Sequence, residues 1–335
     1  MKLEIVPFEE KYLDDAAALL AARHARDRTR EAALPEAFES SAATRPLIES
    51  VLRQPAGQGV FARREGKAAG FLIAMAMLPA PAHFLAQFFA PRSMVMPYHG
   101  HAVADDASVY RDMYGALAGS WVARGFFDHF VNVSPGDAGV RDAWDSLAFG
   151  RDSTCAARDV SAPVEGRRAA GIEIHQAGPE DISVVDEMTT ALMAHHAGSP
   201  IFSPHLVEPR ASSREMTLQL LADAANAHFV AYRDGGALGM QTFMPPSFLS
   251  PMETPEQSVY LLQGVVYEEA RGDGIGSALL EHSMRWCGEQ GYRWCTLHFA
   301  APNTSGAPFW LGNGFRPIEH RLRRHIDERI AWAGA

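Results

Sequence analysis

Arg271-Gly272-Asp273-Gly274-Ile275-Gly276 is the stretch of this 335-residue chain whose spacing carries the most chemistry. It follows the β-rich run SVYLLQGVVY and precedes a run in which Ile275, Ala278, Leu279, His282 and Trp286 mark one helical face. Glycines between a strand and a helix let several backbone N–H groups converge, and the helix adds its positive end. Such a nest binds a phosphate or diphosphate, with Arg271 adding a charge; an ordinary strand-to-helix turn has the same composition. A dinucleotide fingerprint fits poorly, since GxGxxG is absent, and no Gly-Lys-Ser/Thr follows for a Walker A loop. Gly264, inside the preceding strand, suggests a bulge or a close approach by another group. His99 and His101 stand i,i+2 on a strand, but no third ligand is evident, so a structural role is expected and no metal site. Cys155, Cys287 and Cys295 form no CxxC pair, which excludes a disulfide scaffold or zinc ribbon and fits a reducing cytoplasm.

Two blocks together resemble the GNAT superfamily of acyl-CoA-dependent N-acyltransferases. The family's diphosphate loop reads Arg/Gln-x-x-Gly-x-Gly/Ala after the fourth strand, and Arg271, Gly274 and Gly276 fill it. A second family block, Asn followed by an aromatic seven residues on and then Gly-Phe, is met by Asn303, Trp310 and Gly314-Phe315. The resemblance implies acetyl-CoA as co-substrate. Its phosphates would lie on Arg271, Gly272, Asp273, Gly274, Ile275 and Gly276, with Ser277 adding a hydroxyl or facing solvent. Val265 and Val266 would offer backbone groups to the pantetheine arm where the fourth strand splays at Gly264. Asn303 would bind the same arm, or serve as a turn or helix cap. The family often takes its acid from a Tyr where this chain has Trp310, so Trp310 reads as packing or as a wall of the thioester channel. Tyr260, Gln263 and His298 remain as candidates to relay a proton, as do His195, His196 and His205 near the acceptor side. A non-catalytic acyl-CoA-binding sensor or partner-binding module is the alternative, kept open by the missing Tyr.

The elements that must position these residues come in two copies. LEIVPF matches IEIHQA, VFARREGKAAG matches FVAYRDGGALG, and the stretch from Gly125 to Phe149 matches that from Gly291 to Phe315. Three matches in order imply a tandem duplication. Residues 1–160 form one GNAT-like domain, 171–335 the acyl-CoA-binding domain, and VSAPVEGRRAAG the linker. Each copy reads strand, helix, helix, strand-turn-strand, long strand, helix, strand, helix, strand: an α/β fold with a mixed, twisted sheet flanked by helices. Opposite the glycine loop the first copy has Asp105-Asp106-Ala107-Ser108-Val109-Tyr110. Two carboxylates and no glycine argue against a phosphate there, so one CoA site per chain is expected, with the first copy shaping the acceptor cleft.

Composition narrows the partners. With 47% hydrophobic and 21% charged residues the chain is a packed globular protein. A net charge of -10 disfavours nucleic acid and favours a small, amine-bearing acceptor. The charged start MKLEIVPFEE has no apolar run of the signal-peptide kind. From Ala68 to Pro91 no Asp, Glu, Lys or Arg occurs, yet Pro79 and Pro81 interrupt the run, and the matching LGMQTFMPPSF is too polar to span a bilayer. A buried strand with an apolar loop is expected instead, in a cytoplasmic protein for which a homodimer stays open.

Overall fold

The computed structural model describes residues 3–246 and 249–332. In the first half the chain forms β1 (Leu3–Pro7), α1 (Leu13–Arg28), α2 (Ser41–Leu52), β2 (Gln58–Arg64), β3 (Lys67–Met77), β4 (Ser93–Met96), β5 (His101–Val103), α3 (Val109–Ala123), β6 (Asp128–Val133), α4 (Ala138–Asp145) and β7 (Gly150–Asp159). In the second half come β8 (Glu173–Gln176), α5 (Ile182–Ala197), α6 (Arg210–Ala222), β9 (Ala227–Arg233), β10 (Gly236–Met244), β11 (Ser258–Val266), α7 (Ile275–Glu289), β12 (Trp294–Ala300), α8 (Gly306–Gly312) and β13 (Arg316–His325). The hairpins β2–β3 and β9–β10 turn on matching pairs. Glu65 and Gly66 have φ of 53° and 78°, Asp234 and Gly235 of 52° and 79°. Positive φ at both central residues matches the twist of the flanking strands.

The apolar run from Ala68 is the body of β3, buried over most of its length. Among the described residues no helix is long and apolar enough to cross a membrane. Ser247 and Phe248, which end the matching apolar segment of the second half, lie outside the described residues. Two local readings change. The long fourth strand expected in the first half is divided into the short β4 and β5, with a 3-10 turn at Tyr98–Gly100 between them. His99 therefore sits in that turn and not on a strand beside His101.

All strands join one sheet, in the order β1-β2-β3-β4-β6-β13-β7-β12-β11-β10-β9-β8, with β5 paired to β3 off this path. Only β4 with β6 and β11 with β12 are parallel pairs among the described residues. The order is the same from either end inward until the last strand of each half, and there the halves exchange. Strand β7 lies between β12 and β13, while β13 lies between β6 and β7. The two mixed sheets expected from the repeat are thus halves of one. Each last strand takes both of its neighbours from the other half: β7 takes β12 and β13, and β13 takes β6 and β7.

Helices cover both faces. Around α3 and α4 the aromatic residues Tyr110, Tyr114, Trp121, Trp144 and Phe149 fill one side of the first half. Helices α1 and α2 cover the other side, over Phe61, Phe71 and Ile73. In the second half α7 packs over Phe229, Phe243, Leu261 and Leu297, and α5 over Val230, Met240 and Val265. The buried face of α7 is wider than the sequence stripe, because Leu280, Ser283, Met284 and Cys287 also turn inward. His282 and Trp286 lie at its edge, against the Phe229 ring.

Candidate active site

The site begins where two strands part. Parallel pairing of β11 with β12 runs from Ser258–Trp294 to Leu261–Leu297 and ends there. On its other side β11 continues against β10 as far as Val266–Gly239, with a bulge that leaves Leu262 without an opposite residue. Beyond Leu261 β11 has no β12 partner; there Val265 pairs with Met240 of β10, while Val266 O accepts from Arg271 Nε and Val266 N faces the opening. The bulge lies two residues before Gly264. Gly264 itself meets the close approach: a Cβ there would lie 3.0 Å from the indole of Trp310. Trp310 packs against Gly264, edge-on to Phe309 and Phe315, and it also lines the site's cavity.

The glycine loop follows directly. Gly272 and Gly274 both have φ of 85°, which any other L residue adopts only with strain. Gly274 is the N-cap of α7, and no side chain caps that terminus. Its first-turn N–H groups and positive dipole end are thus left for an anion. Arg271 Nε donates to Val266 O (3.1 Å), which holds its guanidinium beside the loop. Asp273 lies 3.5 Å from Arg233, so the carboxylate within the loop is offset by a cation. Asn303 Oδ1 accepts from the backbone N–H of Gly306 (2.8 Å) and of Ser305 (3.1 Å), fixing the start of α8. The cap uses the amide oxygen and leaves Nδ2 as a donor. In the first half the corresponding turn is closed on itself. Asp106 Oδ1 accepts from Ser108 Oγ (2.6 Å) and Ser108 N (3.0 Å), and Asp106 Oδ2 accepts from Arg64 (2.9 Å), which together hold this carboxyl below its usual range.

Among the proton-relay candidates, the structure joins two. Tyr260 Oη and His298 Nδ1 are 2.8 Å apart. Desolvation lowers the His298 pKa to about 4 and raises that of Tyr260, so both are neutral near pH 7. Gln263 lines the same cavity, but its Oε1 accepts from Thr189 Oγ1 of α5 (3.1 Å) and it does not bond Tyr260 or His298. His195 Nε2 lies 3.4 Å from Ser305 Oγ at the cavity rim, and burial lowers the His196 pKa to about 4. His205 lines the same cavity. His99 and His101 are structural: His99 bonds Ser250 Oγ (2.9 Å), and His101 bonds Tyr110 Oη (2.9 Å) and Asn132 O (2.8 Å). Among the described residues no group of three or more His, Cys, Asp or Glu is placed to hold a metal.

These parts open into one cavity of about 990 Å³. Arg271, Gly272 and Gly274 to Ser277 line it, as do Tyr260, Gly264 and His298, and residues of the first half complete it. Met77, Phe84, Leu85, Phe88 and Phe89 supply that part of its wall, with Asp152 and Ser153 of β7 and Arg321 of the exchanged β13. The overall charge does not carry over to this surface. Among the described residues its carboxylates are Asp152 and Asp186, each beside an arginine, at 2.6 Å and 3.7 Å. Arg167, Arg210, Arg271, Arg321 and Arg323 also line it. The sequence led us to expect the first copy to shape the cleft, but it marked none of these wall residues and not the strand exchange that brings Arg321 among them. The apolar run at Phe84–Phe89 was visible, but nothing in it marked a cavity.

Residues 193–315 match the model of the acetyltransferase (GNAT) family. Among solved structures, a GCN5-related N-acetyltransferase from Sphaerobacter thermophilus is similar over 96% of this chain and 95% of its own, at 15% identity and a TM-score of 0.58. A GCN5-related glucosamine N-acetyltransferase region of a fungal multi-domain GH3 β-N-acetylglucosaminidase is similar over 96% of this chain and 38% of that one, at 14% identity and a TM-score of 0.55. At these identities the likeness is one of fold. No curated protein matches the sequence. The donor set fits an acyl-CoA: free N–H groups at α7 for phosphates, Val266 N at the opening for an amide-bearing arm, and one cavity that takes in both.

Proposed function

We propose that the chain moves an acetyl group from acetyl-CoA to the primary amine of a small molecule with an apolar body. The observation that carries this reading is one cavity lined by the uncapped start of α7, the Tyr260–His298 pair and the aromatic wall of the first half. Arg271 to Ser277 would hold the phosphates, Val266 N and Asn303 Nδ2 the pantetheine arm. When bound, the acyl-CoA supplies a thioester carbonyl open to attack by an amine.

The residues of the chain orient the partners and move protons. Holding amine and thioester together in a closed cleft supplies much of the acceleration. The Tyr260 hydroxyl gives its proton toward the departing sulfur, and His298 passes one back from the attacking nitrogen, so the pair ends unchanged. Because His298 is a weak base, the amine must arrive neutral. The apolar first-half wall and the paired state of Asp152 and Asp186 favour an acceptor with few charges over a polycation.

Titration calorimetry with CoA, followed by thiol release from acetyl-CoA with a panel of amines, tests this reading. Binding at one site per chain with amine-dependent thiol release is expected. Binding without turnover across the panel would return the protein to the acyl-CoA-sensor reading, and no binding would overturn both.

A further inference from the structure

The connector between the two halves runs across the start of α7. Four contacts fix its path. Ala169 N donates to Gly274 O (3.3 Å), Glu165 N to Asn313 Oδ1 (3.0 Å), Arg168 Nε to Glu281 Oε2 (2.8 Å) and Arg233 to Ala170 O (3.4 Å). The fit is close: a Cβ on Gly274 would strike the Arg167 carbonyl, and one on Gly166 would lie 3.2 Å from Ser277 Oγ. The close approach that requires glycine at 274 is therefore made by the connector.

Two of the arginines here already have carboxylates, Arg168 with Glu281 and Arg233 with Asp273. Arg167 is exposed and lines the cavity beside Arg271, Gly274, Gly276 and Ser277, with no hydrogen bond or ion pair of its own among the described residues. A guanidinium in that position pairs with phosphate oxygens by charge-assisted hydrogen bonds. We propose that Arg167 binds a phosphate of the acyl-CoA, so that a residue of the connector completes the nucleotide site of the second half. The proposal rests on the acyl-CoA reading above. It concerns a residue outside the glycine loop and outside the family match, which spans 193–315.

Titration calorimetry of the full chain with CoA and with dephospho-CoA tests it, on the unchanged protein, Arg167→Ala and Arg168→Ala. Arg167→Ala is expected to weaken CoA about five- to tenfold, the range of one charge-assisted contact at an exposed site. Arg168→Ala, whose side chain is turned to Glu281, should change the affinity less than about twofold. A deficit that persists with dephospho-CoA assigns Arg167 to the diphosphate, and one that vanishes assigns it to the 3′-phosphate. Unchanged CoA affinity in Arg167→Ala overturns the proposal and leaves the acyl-CoA reading standing. An equal loss in Arg168→Ala also overturns it, because the connector would then act only by its packing. Failure of the unchanged protein to bind CoA removes both readings.

Discussion

Tyr260 and His298 are the residues on which turnover should depend. Replacing Tyr260 by Phe removes the proton and keeps the ring, so kcat should fall by about 10²–10⁴ with CoA affinity little changed. Steady-state kinetics beside calorimetry separates the two; unchanged kcat would exclude the pair from proton transfer. Trp310→Phe, by contrast, should keep most activity, since the indole packs on Gly264 and has no proton to give near neutral pH. With His298 neutral from about pH 4 upward, the rise in rate above pH 6 should follow the pKa of the acceptor amine. Changing the amine should move that profile; a rise fixed near pH 6.5 for every amine would contradict it. At this scale the sequence was informative but not decisive. Tyr260, Gln263 and His298 lie on two strands that were both expected, yet only the register sends Gln263 to Thr189 and brings Tyr260 to His298. Side-chain direction on a bulged strand depends on where the extra residue falls, and the bulge is at Leu262, not at Gly264.

Helix α7 offers a cleaner test of the anion site than its N-cap does. A bulky residue at Gly274 would strain a φ of 85° and displace the connector, so loss of binding there would not isolate the phosphate. Gly276→Asp is the sharper variant. A carboxylate in the first turn favours the helix by about 0.3–1 kcal/mol, but it places negative charge where phosphates would sit. Thermal stability should hold while CoA affinity falls by at least about 100-fold, the effect of one strong like-charge contact. Retained CoA binding in that variant would mean that the phosphates lie elsewhere. This element was legible because a glycine loop between strand and helix has few physical uses. The connector was legible only as a linker, since VSAPVEGRRAAG has no periodicity to tell whether it packs on anything.

For the whole molecule, the exchanged strands make each half incomplete. A fragment of residues 171–335 would leave β13 without β6 and β7, and β12 without β7. It should be aggregated or unfolded, as judged by circular dichroism and size exclusion; a folded, monomeric fragment would show that the exchange is dispensable. The repeat itself was readable, because strand order within a half follows chain order. The exchange was not, because a strand buried on both faces has the same pattern whichever half supplies its neighbours. Acid stability is also a property of the whole. Desolvation lowers the pKa of nine histidines among the described residues: that of His101 to about 3, those of His99, His129, His196, His298 and His320 to about 4, and those of His24, His228 and His282 in the same direction. In the unfolded chain each takes up a proton near pH 6.5, so their contribution is full above that pH and drains away as pH falls toward 4. Glu253, held protonated by burial beside Glu319, acts in the opposite sense, but as one group against nine. Tm should therefore fall steadily below pH 6.5, and a Tm flat to pH 4.5 would contradict this.

The place of β13 also sets a timetable for synthesis. Strand β6 ends at Val133, and its outer neighbour begins only at Arg316. At about 5–20 residues per second, the ribosome needs roughly ten to forty seconds to deliver that partner. During this interval the first half holds its helices and hairpin in place while β6 presents a row of unpaired N–H and C=O groups beside Phe130 and Val131. Such an edge is a template for other chains. The nascent protein should thus depend on chaperones until its final strand leaves the exit tunnel, and slowing translation after Val133 should lower the yield of soluble protein.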